Sequence, residues 1–131
     1  LGYAAEGKPV AGVAVRRIKS YEEVTALVVV AKNAGEYSIS QVVIPDIAVI
    51  KHPDKRSKVT RAVDKFAGAV VRDKAGKTHK IDAVTGATRY QKRLYTYFNL
   101  MSAKVVEELV NNPDWPKTPL PEAQVGDAAQ N

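Results

Sequence analysis

The chain has 131 residues, of which 45% are hydrophobic and 26% charged, and these values are typical of one globular domain. It contains no cysteine, which excludes disulfides, thiol catalysis and thiolate metal or iron–sulfur sites. The net charge of +6 favours anionic partners, although a solvated surface with a modest basic excess is the commoner explanation.

Apolar patterning in the first half of the chain predicts a sheet. A dense β-branched run marks a central strand, and partial alternation of apolar residues marks its neighbours. A turn is expected at Asn33-Ala34-Gly35 and a break at Pro45, which has no N–H to donate to a strand ladder. The predicted strands are Val10–Ile18, Val24–Val30, Glu36–Ile44 and Ile47–Ile50.

The middle of the chain is predicted to form one short helix followed by short strands. Apolar residues at helical spacing predict a helix over Asp54–Ala67, ended by Gly68. Ala69–Val71 is a brief predicted strand, and Thr78–Ile81 is predicted as a further strand after the turn at Asp73–Lys77.

A long amphipathic helix is predicted after Thr88. Its apolar residues recur every three or four positions and form one stripe: Leu94, Phe98, Met101, Val105 and Leu109. Asn111-Asn112-Pro113 ends the helix. We therefore expect an α+β domain over residues 1–112, with a mostly antiparallel sheet packed against a few helices. Residues 113–131, which contain several prolines, are expected to form a tail or linker.

The segment Asp82-Ala83-Val84-Thr85-Gly86-Ala87-Thr88 is the most informative part of the sequence. It places two threonine hydroxyls around a Gly-Ala pair immediately before the long helix, where backbone amides are free to bind an anion. The simplest structural interpretation is N-terminal capping, with Thr85 or Thr88 accepting hydrogen bonds from those amides. A Walker loop is excluded because no Gly-Lys-Ser/Thr follows.

This pattern of Asp, two spacers, Thr, Gly, Ala and Thr resembles that of the FMN-binding domain family. The family includes flavin subunits of sodium-pumping quinone reductases and of related Rnf-type complexes, in which the last threonine of the motif carries FMN through a phosphoester. The resemblance implies covalent FMN on Thr88, attached by a flavin transferase that uses FAD and magnesium. Asp82, Thr85, Gly86 and Ala87 would form the recognition pattern around it.

Several nearby residues are further candidates for contact with the cofactor. A phosphate on Thr88 would lie at the N-terminal end of the helix, where the helix dipole favours an anion. Arg89 and Lys92 would neutralise its charge. Tyr90 or Tyr95 is a candidate neighbour of the flavin ring, with core packing as the alternative role of these aromatics.

The resemblance implies an electron-transfer module that passes electrons between redox partner proteins and belongs to a membrane-bound complex. We expect a redox carrier rather than a stand-alone enzyme, and no catalytic residue is predicted. The implied location is extracytoplasmic, periplasmic or at the cell surface, with any signal peptide or membrane anchor outside this chain. The alternative is a binding or sensory domain that uses its basic surface for an anionic partner.

Other residue patterns support no separate chemistry. His52 and His79 are the only histidines, and their spacing suggests no third metal ligand, so no metal site is predicted. The basic stretch around the first helix is interpreted as a solvated helix face, with a docking patch as the alternative. A nucleic-acid role is disfavoured because no recognised motif supports it.

Overall fold

The computed structural model describes residues 2–3, 9–83 and 85–111, and these form an antiparallel sheet with two long helices. The five strands lie side by side in chain order, which confirms the α+β class with a mostly antiparallel sheet. The domain boundary expected at residue 112 and the tail expected at 113–131 lie outside the described residues. The elements are β1 Gly2–Tyr3, β2 Pro9–Lys19, β3 Glu23–Asn33, β4 Glu36–Val43, α1 Pro53–Phe66, β5 Val70–Arg72 and α2 Arg89–Asn111.

The central strand is β3, as predicted. It pairs with β2 in continuous antiparallel register from Ala31 opposite Ala11 to Glu23 opposite Lys19, and with β4 on its other edge. From Val24 to Ala31, every second side chain of β3 is buried, whereas those between them are half-buried. Because side chains alternate between the faces of a strand, one face of the sheet belongs to the core.

Both helices contribute to the core on the buried face of the sheet. The predicted apolar stripe of α2 is confirmed, since all five of its residues are buried. Phe66 at the end of α1 is fully buried and meets the rings of Tyr95 and Phe98 edge-on, with centroids 5.2 Å apart in each case. This aromatic cluster joins α1 to α2 and fixes their separation.

The strand predicted over Ile47–Ile50 is wrong, because Ile47–Val49 form a 3-10 turn. The backbone N–H groups of Ile47, Val49 and Ile50 each donate to the carbonyl three residues earlier, at 3.2, 3.0 and 3.0 Å. These local hydrogen bonds after Pro45 replace the ladder bonds that a strand would require.

The strand predicted over Thr78–Ile81 is also wrong. Thr78 makes one isolated bridge to Arg72, and the backbone of Ile81 is satisfied by a side chain instead of a neighbouring strand. The Ile81 N–H donates to Asn99 Oδ1 at 3.0 Å, and Asn99 Nδ2 donates to the Ile81 carbonyl at 2.8 Å. Asn99 thereby holds the segment that leads to the threonine motif against α2.

The carboxylate of Asp46 links the 3-10 turn to β3. Its two oxygens accept hydrogen bonds from the Thr25 N–H at 2.9 and 3.1 Å, and one also accepts from the Arg17 guanidinium at 3.1 Å. The hydrogen bond from the Thr25 backbone is the main cause that lowers the pKa of Asp46 from its ordinary value, and the charge of Arg17 acts in the same direction.

We expect Asp46→Asn to lower the free energy of unfolding at neutral pH by about 1 kcal/mol. Because the pKa of Asp46 is lower in the folded state, the charged carboxylate stabilises the fold above its unfolded pKa of about 4. That stability is lost as the pH falls through the folded-state pKa. Urea unfolding of both proteins should therefore show a difference that is full at neutral pH and shrinks as the pH falls below about 4. A difference that does not change with pH would contradict this account.

Candidate functional site

Thr88 occupies the N-cap position of α2, which begins at Arg89. The Thr88 hydroxyl oxygen accepts a hydrogen bond from the Gln91 N–H at 3.2 Å, and the Gln91 side-chain oxygen accepts one from the Thr88 N–H at 3.1 Å. This reciprocal pair is a capping box. The capping role considered from the sequence is thus present at Thr88.

The Thr88 hydroxyl has a second partner from a distant part of the chain. The hydroxyls of Tyr21 and Thr88 lie 2.9 Å apart and share a hydrogen bond across the gap between the β2–β3 turn and α2. The Tyr21 ring lies 5.0 Å from that of Tyr90, and Lys55 Nζ lies 6.0 Å from the Tyr21 ring centroid. Tyr21 therefore fixes the position of the Thr88 oxygen from outside the motif.

The two motif threonines differ in environment. Thr88 is half-buried and makes the hydrogen bonds above, whereas Thr85 is exposed in the preceding turn. Gly86 adopts a φ of 85°, in the region that side chains other than glycine rarely adopt. A Cβ at Gly86 would meet no atom within 4 Å, so the glycine is required by its backbone angle and not by a lack of space.

An open groove of about 580 Å³, here called the Thr88 groove, lies between the motif and α1. Thr85, Gly86, Ala87 and Thr88 form one side of it. The opposite side consists of α1 residues at helical spacing, together with Gln91 and Tyr95 from α2. The α1 residues are Lys58, Arg61, Asp64 and Lys65.

The Thr88 groove is electropositive. Three of its four α1 side chains are cationic, and within residues 9–83 and 85–111 none of the three takes part in an ion pair. The free amides and the dipole at the start of α2 add positive potential on the opposite side. An anionic group in this groove would meet positive charge from two elements.

The other candidate residues lie around this groove. Asp82 and Lys92 line a neighbouring groove of about 690 Å³ on the far side of the motif, here called the Asp82 groove. Tyr95 lines both grooves and is 5% exposed, and its burial raises the pKa of its phenol. The two predicted phosphate ligands, Arg89 and Lys92, are therefore not among the residues that line the Thr88 groove.

Arg89 is engaged with its neighbour Tyr90. Its guanidinium donates to the Tyr90 hydroxyl at 3.1 Å and lies 5.0 Å from the ring centroid. This hydrogen bond is the main cause that lowers the pKa of Tyr90. The Tyr90 carbonyl accepts a hydrogen bond from the fully buried Ser20 hydroxyl at 3.2 Å, which ties the first turn of α2 to the end of β2.

Sequence reasoning missed three parts of the site. Gln91 has a visible signal, because Thr followed three residues later by Gln is the capping-box pattern. The groove cations also have a signal in the sequence, because positions 58, 61 and 65 share a helix face. The sequence does not show which part of the molecule that face points toward. Tyr21 has no signal, because its contact with Thr88 spans 67 residues.

Within the described residues, no group of three or more His, Asp or Glu side chains is arranged to hold a metal ion. None of the helices seen in this part of the chain is long and apolar enough to cross a membrane.

No protein-family model matches the chain, and comparisons with curated proteins and with solved structures found no significant match. The resemblance to the FMN-binding domain family therefore rests on the residues of the motif, and the function has to be argued from the site.

Proposed function

We propose that this domain carries FMN covalently on Thr88 and transfers electrons between redox partner proteins. The observation that carries the proposal is the position of the Thr88 hydroxyl. It lies at the start of a 23-residue helix and lines a groove whose opposite wall presents three cations, none of them in an ion pair with the described residues. Thr85 lines the same groove, but Thr88 alone of the two caps the helix, and this position supports it as the attachment point.

The groove is compatible with a mononucleotide. Its volume of about 580 Å³ falls within the range of about 300–1,000 Å³ that is usual for small-molecule sites. Lys58, Arg61 and Lys65 would face the phosphate, and the α2 N-terminus would favour the anion by about 0.3–1 kcal/mol, or about 2 kcal/mol when partly buried. When bound, FMN would supply the redox chemistry, and the protein would hold and orient it.

Attachment requires the Thr88 oxygen to act as a nucleophile. With FAD as donor, this oxygen bonds to the phosphorus on the FMN side, the pyrophosphate bond breaks, AMP leaves, and the hydroxyl proton is released. The Tyr21 hydroxyl and the Gln91 N–H both contact the oxygen and would hold the Thr88 hydroxyl in a fixed orientation. A flavin transferase would be the maturation partner, and an extracytoplasmic site in a membrane-bound electron-transfer complex is part of the same proposal.

The proposal is tested by co-expressing the full chain with a flavin transferase and precipitating the protein in acid. We expect the washed pellet to be yellow and to retain flavin absorbance after it is dissolved in denaturant. Covalent attachment survives this treatment, whereas a bound but unattached flavin is lost. A colourless pellet, obtained while a known substrate of the same transferase becomes yellow, would refute the proposal.

The groove cations should control binding before attachment. We expect Lys58→Gln combined with Lys65→Gln to weaken the affinity of the unmodified protein for free FMN about tenfold, because two charge-assisted contacts with the phosphate are lost. Fluorescence quenching of FMN measures the affinity. Lys74→Gln combined with Lys77→Gln removes the same charge from an exposed turn and serves as the control. Equal losses in the two double variants would show a net-charge effect and contradict a groove-specific role.

The second candidate is an interaction domain that binds an anionic partner without flavin. The α1 cations, which form no ion pair with the described residues, favour it, and the capping box gives Thr88 a structural role that needs no modification. This candidate predicts an unmodified protein after co-expression with the transferase, which is the outcome that refutes covalent FMN.

A further inference from the structure

A second polar groove lies on the other side of α1. It measures about 570 Å³, and we call it the Arg56 groove. Arg56 and Arg61 place guanidinium groups along it, and Ser57 and Thr60 add hydroxyls. Ile47 from the 3-10 turn and Pro53 complete the lining.

Arg56 has an unmet hydrogen-bonding requirement in this groove. Its Nε is buried and has no hydrogen-bond partner within the described part of the chain. A buried donor without an acceptor is costly, and the planar guanidinium fork is suited to a carboxylate bound through two parallel hydrogen bonds. The Nε itself is enclosed, so a carboxylate from outside would bind Arg56 through the terminal nitrogens of the guanidinium.

The charge of α1 is not neutralised by the rest of the described residues. Residues 51–65 contain six Lys or Arg against two Asp. The acidic partners lie elsewhere: the ion pairs are Arg17 with Glu23 and Asp46, His79 with Asp73, and Lys104 with Glu107 and Glu108. Among residues 9–83 and 85–111, no ion pair involves an α1 side chain.

We propose that the Arg56 groove and the exposed cations beside it form a docking surface for an acidic protein partner. A partner carboxylate would bridge Arg56 and Arg61, with the Ser57 and Thr60 hydroxyls as further donors. Lys55 and Lys65 would attract surrounding acidic side chains and speed the encounter.

The composition of α1 favours a protein as the docking partner over a membrane or a nucleic acid. Its exposed face carries no aromatic residue and no large apolar one, so it offers neither a stacking platform for bases nor an anchor for lipid. Asp54 and Asp64 are also exposed there. They would repel a uniform row of phosphates, whereas a protein can place its own cations opposite them.

Arg61 lines both the Arg56 groove and the Thr88 groove. A partner docked on α1 would therefore sit beside the site proposed for FMN, at a position suited to electron transfer. That redox role rests on the proposed function, but the docking surface does not.

The experiment uses the full chain and a fluorescein-labelled peptide of alternating Glu and Ser, with a Gln–Ser peptide as the neutral control. Fluorescence anisotropy gives the dissociation constant. We expect Arg56→Gln to weaken binding of the Glu–Ser peptide about tenfold, and Arg56→Lys to lose most of the same affinity because it lacks the fork. Lys74→Gln removes the same charge at an exposed turn and should change the affinity about twofold or less.

Two results would overturn the proposal. One is an equal effect of Arg56→Gln and Lys74→Gln. The other is tighter binding of the wild type to duplex DNA or to phosphatidylserine vesicles than to the peptide at matched salt. Circular dichroism verifies the fold of each variant, and Thr60→Ala, at an exposed hydroxyl, gives a second test if Arg56→Gln is unfolded. Thr88→Ala should bind the peptide like the wild type, so failure of flavin attachment and failure of docking are distinguishable.

Discussion

We expect Thr88→Asn to abolish covalent FMN while leaving the domain folded. Asparagine is as good an N-cap residue as threonine, so it preserves the start of α2, but it has no hydroxyl to esterify. Thr88→Ala should also abolish attachment and, in addition, cost about 1 kcal/mol because the cap is lost. Flavin absorbance of acid-precipitated protein measures attachment, and urea unfolding measures stability.

Two matched variants distinguish the role of the Thr88 hydroxyl from the role of the surrounding turn. Thr88→Ser keeps both the hydroxyl and the cap and should retain attachment at a measurable level. Thr85→Ala changes the exposed threonine of the same turn and should leave some attachment. Flavin that remains covalently bound to Thr88→Asn would show that another residue is the acceptor.

The largest loss of stability is expected for Phe66→Ala. The Phe66 side chain is fully buried and packs edge-on against Tyr95 and Phe98, so truncation leaves a cavity between α1 and α2. We expect the free energy of unfolding to fall by about 3–5 kcal/mol, a large part of the about 5–15 kcal/mol of a typical domain. Urea unfolding followed by circular dichroism gives the value.

The control for this prediction is Leu100→Ala. Leu100 lies on α2 but is 57% exposed, and the change should alter the free energy of unfolding by about 0.5 kcal/mol or less. Similar losses in the two variants would mean that the aromatic cluster does not hold α1 against α2. Because that contact positions the wall of the Thr88 groove, Phe66→Ala should also weaken FMN binding.

The regular elements were predictable from the sequence because their patterns are local. The β-branched run in β3 and the stripe of α2 each reflect one buried face, and burial on one face imposes a period of two or of about 3.6 residues. The two wrongly predicted strands lack that constraint. After Pro45 the backbone closes local turn bonds, and at Ile81 the Asn99 side chain takes the place of a partner strand.

The candidate site was only partly predictable for the same reason. A local pattern identified Thr88 at the start of a helix, and the structure places it there. The cations opposite it come from α1, whose orientation depends on the packing of Phe66 between the two helices. Tyr21 reaches Thr88 only because β2 and α2 pack together, a contact that no local pattern encodes.

The proposed function depends on covalent attachment of FMN to the Thr88 oxygen. Tandem mass spectrometry of the denatured wild-type chain, after co-expression with a flavin transferase, tests it most directly. We expect one added FMN, less one water, on the peptide that contains the motif, with fragment ions that place it on Thr88. An unmodified chain, or an adduct on Thr85 or on any other residue, would contradict it.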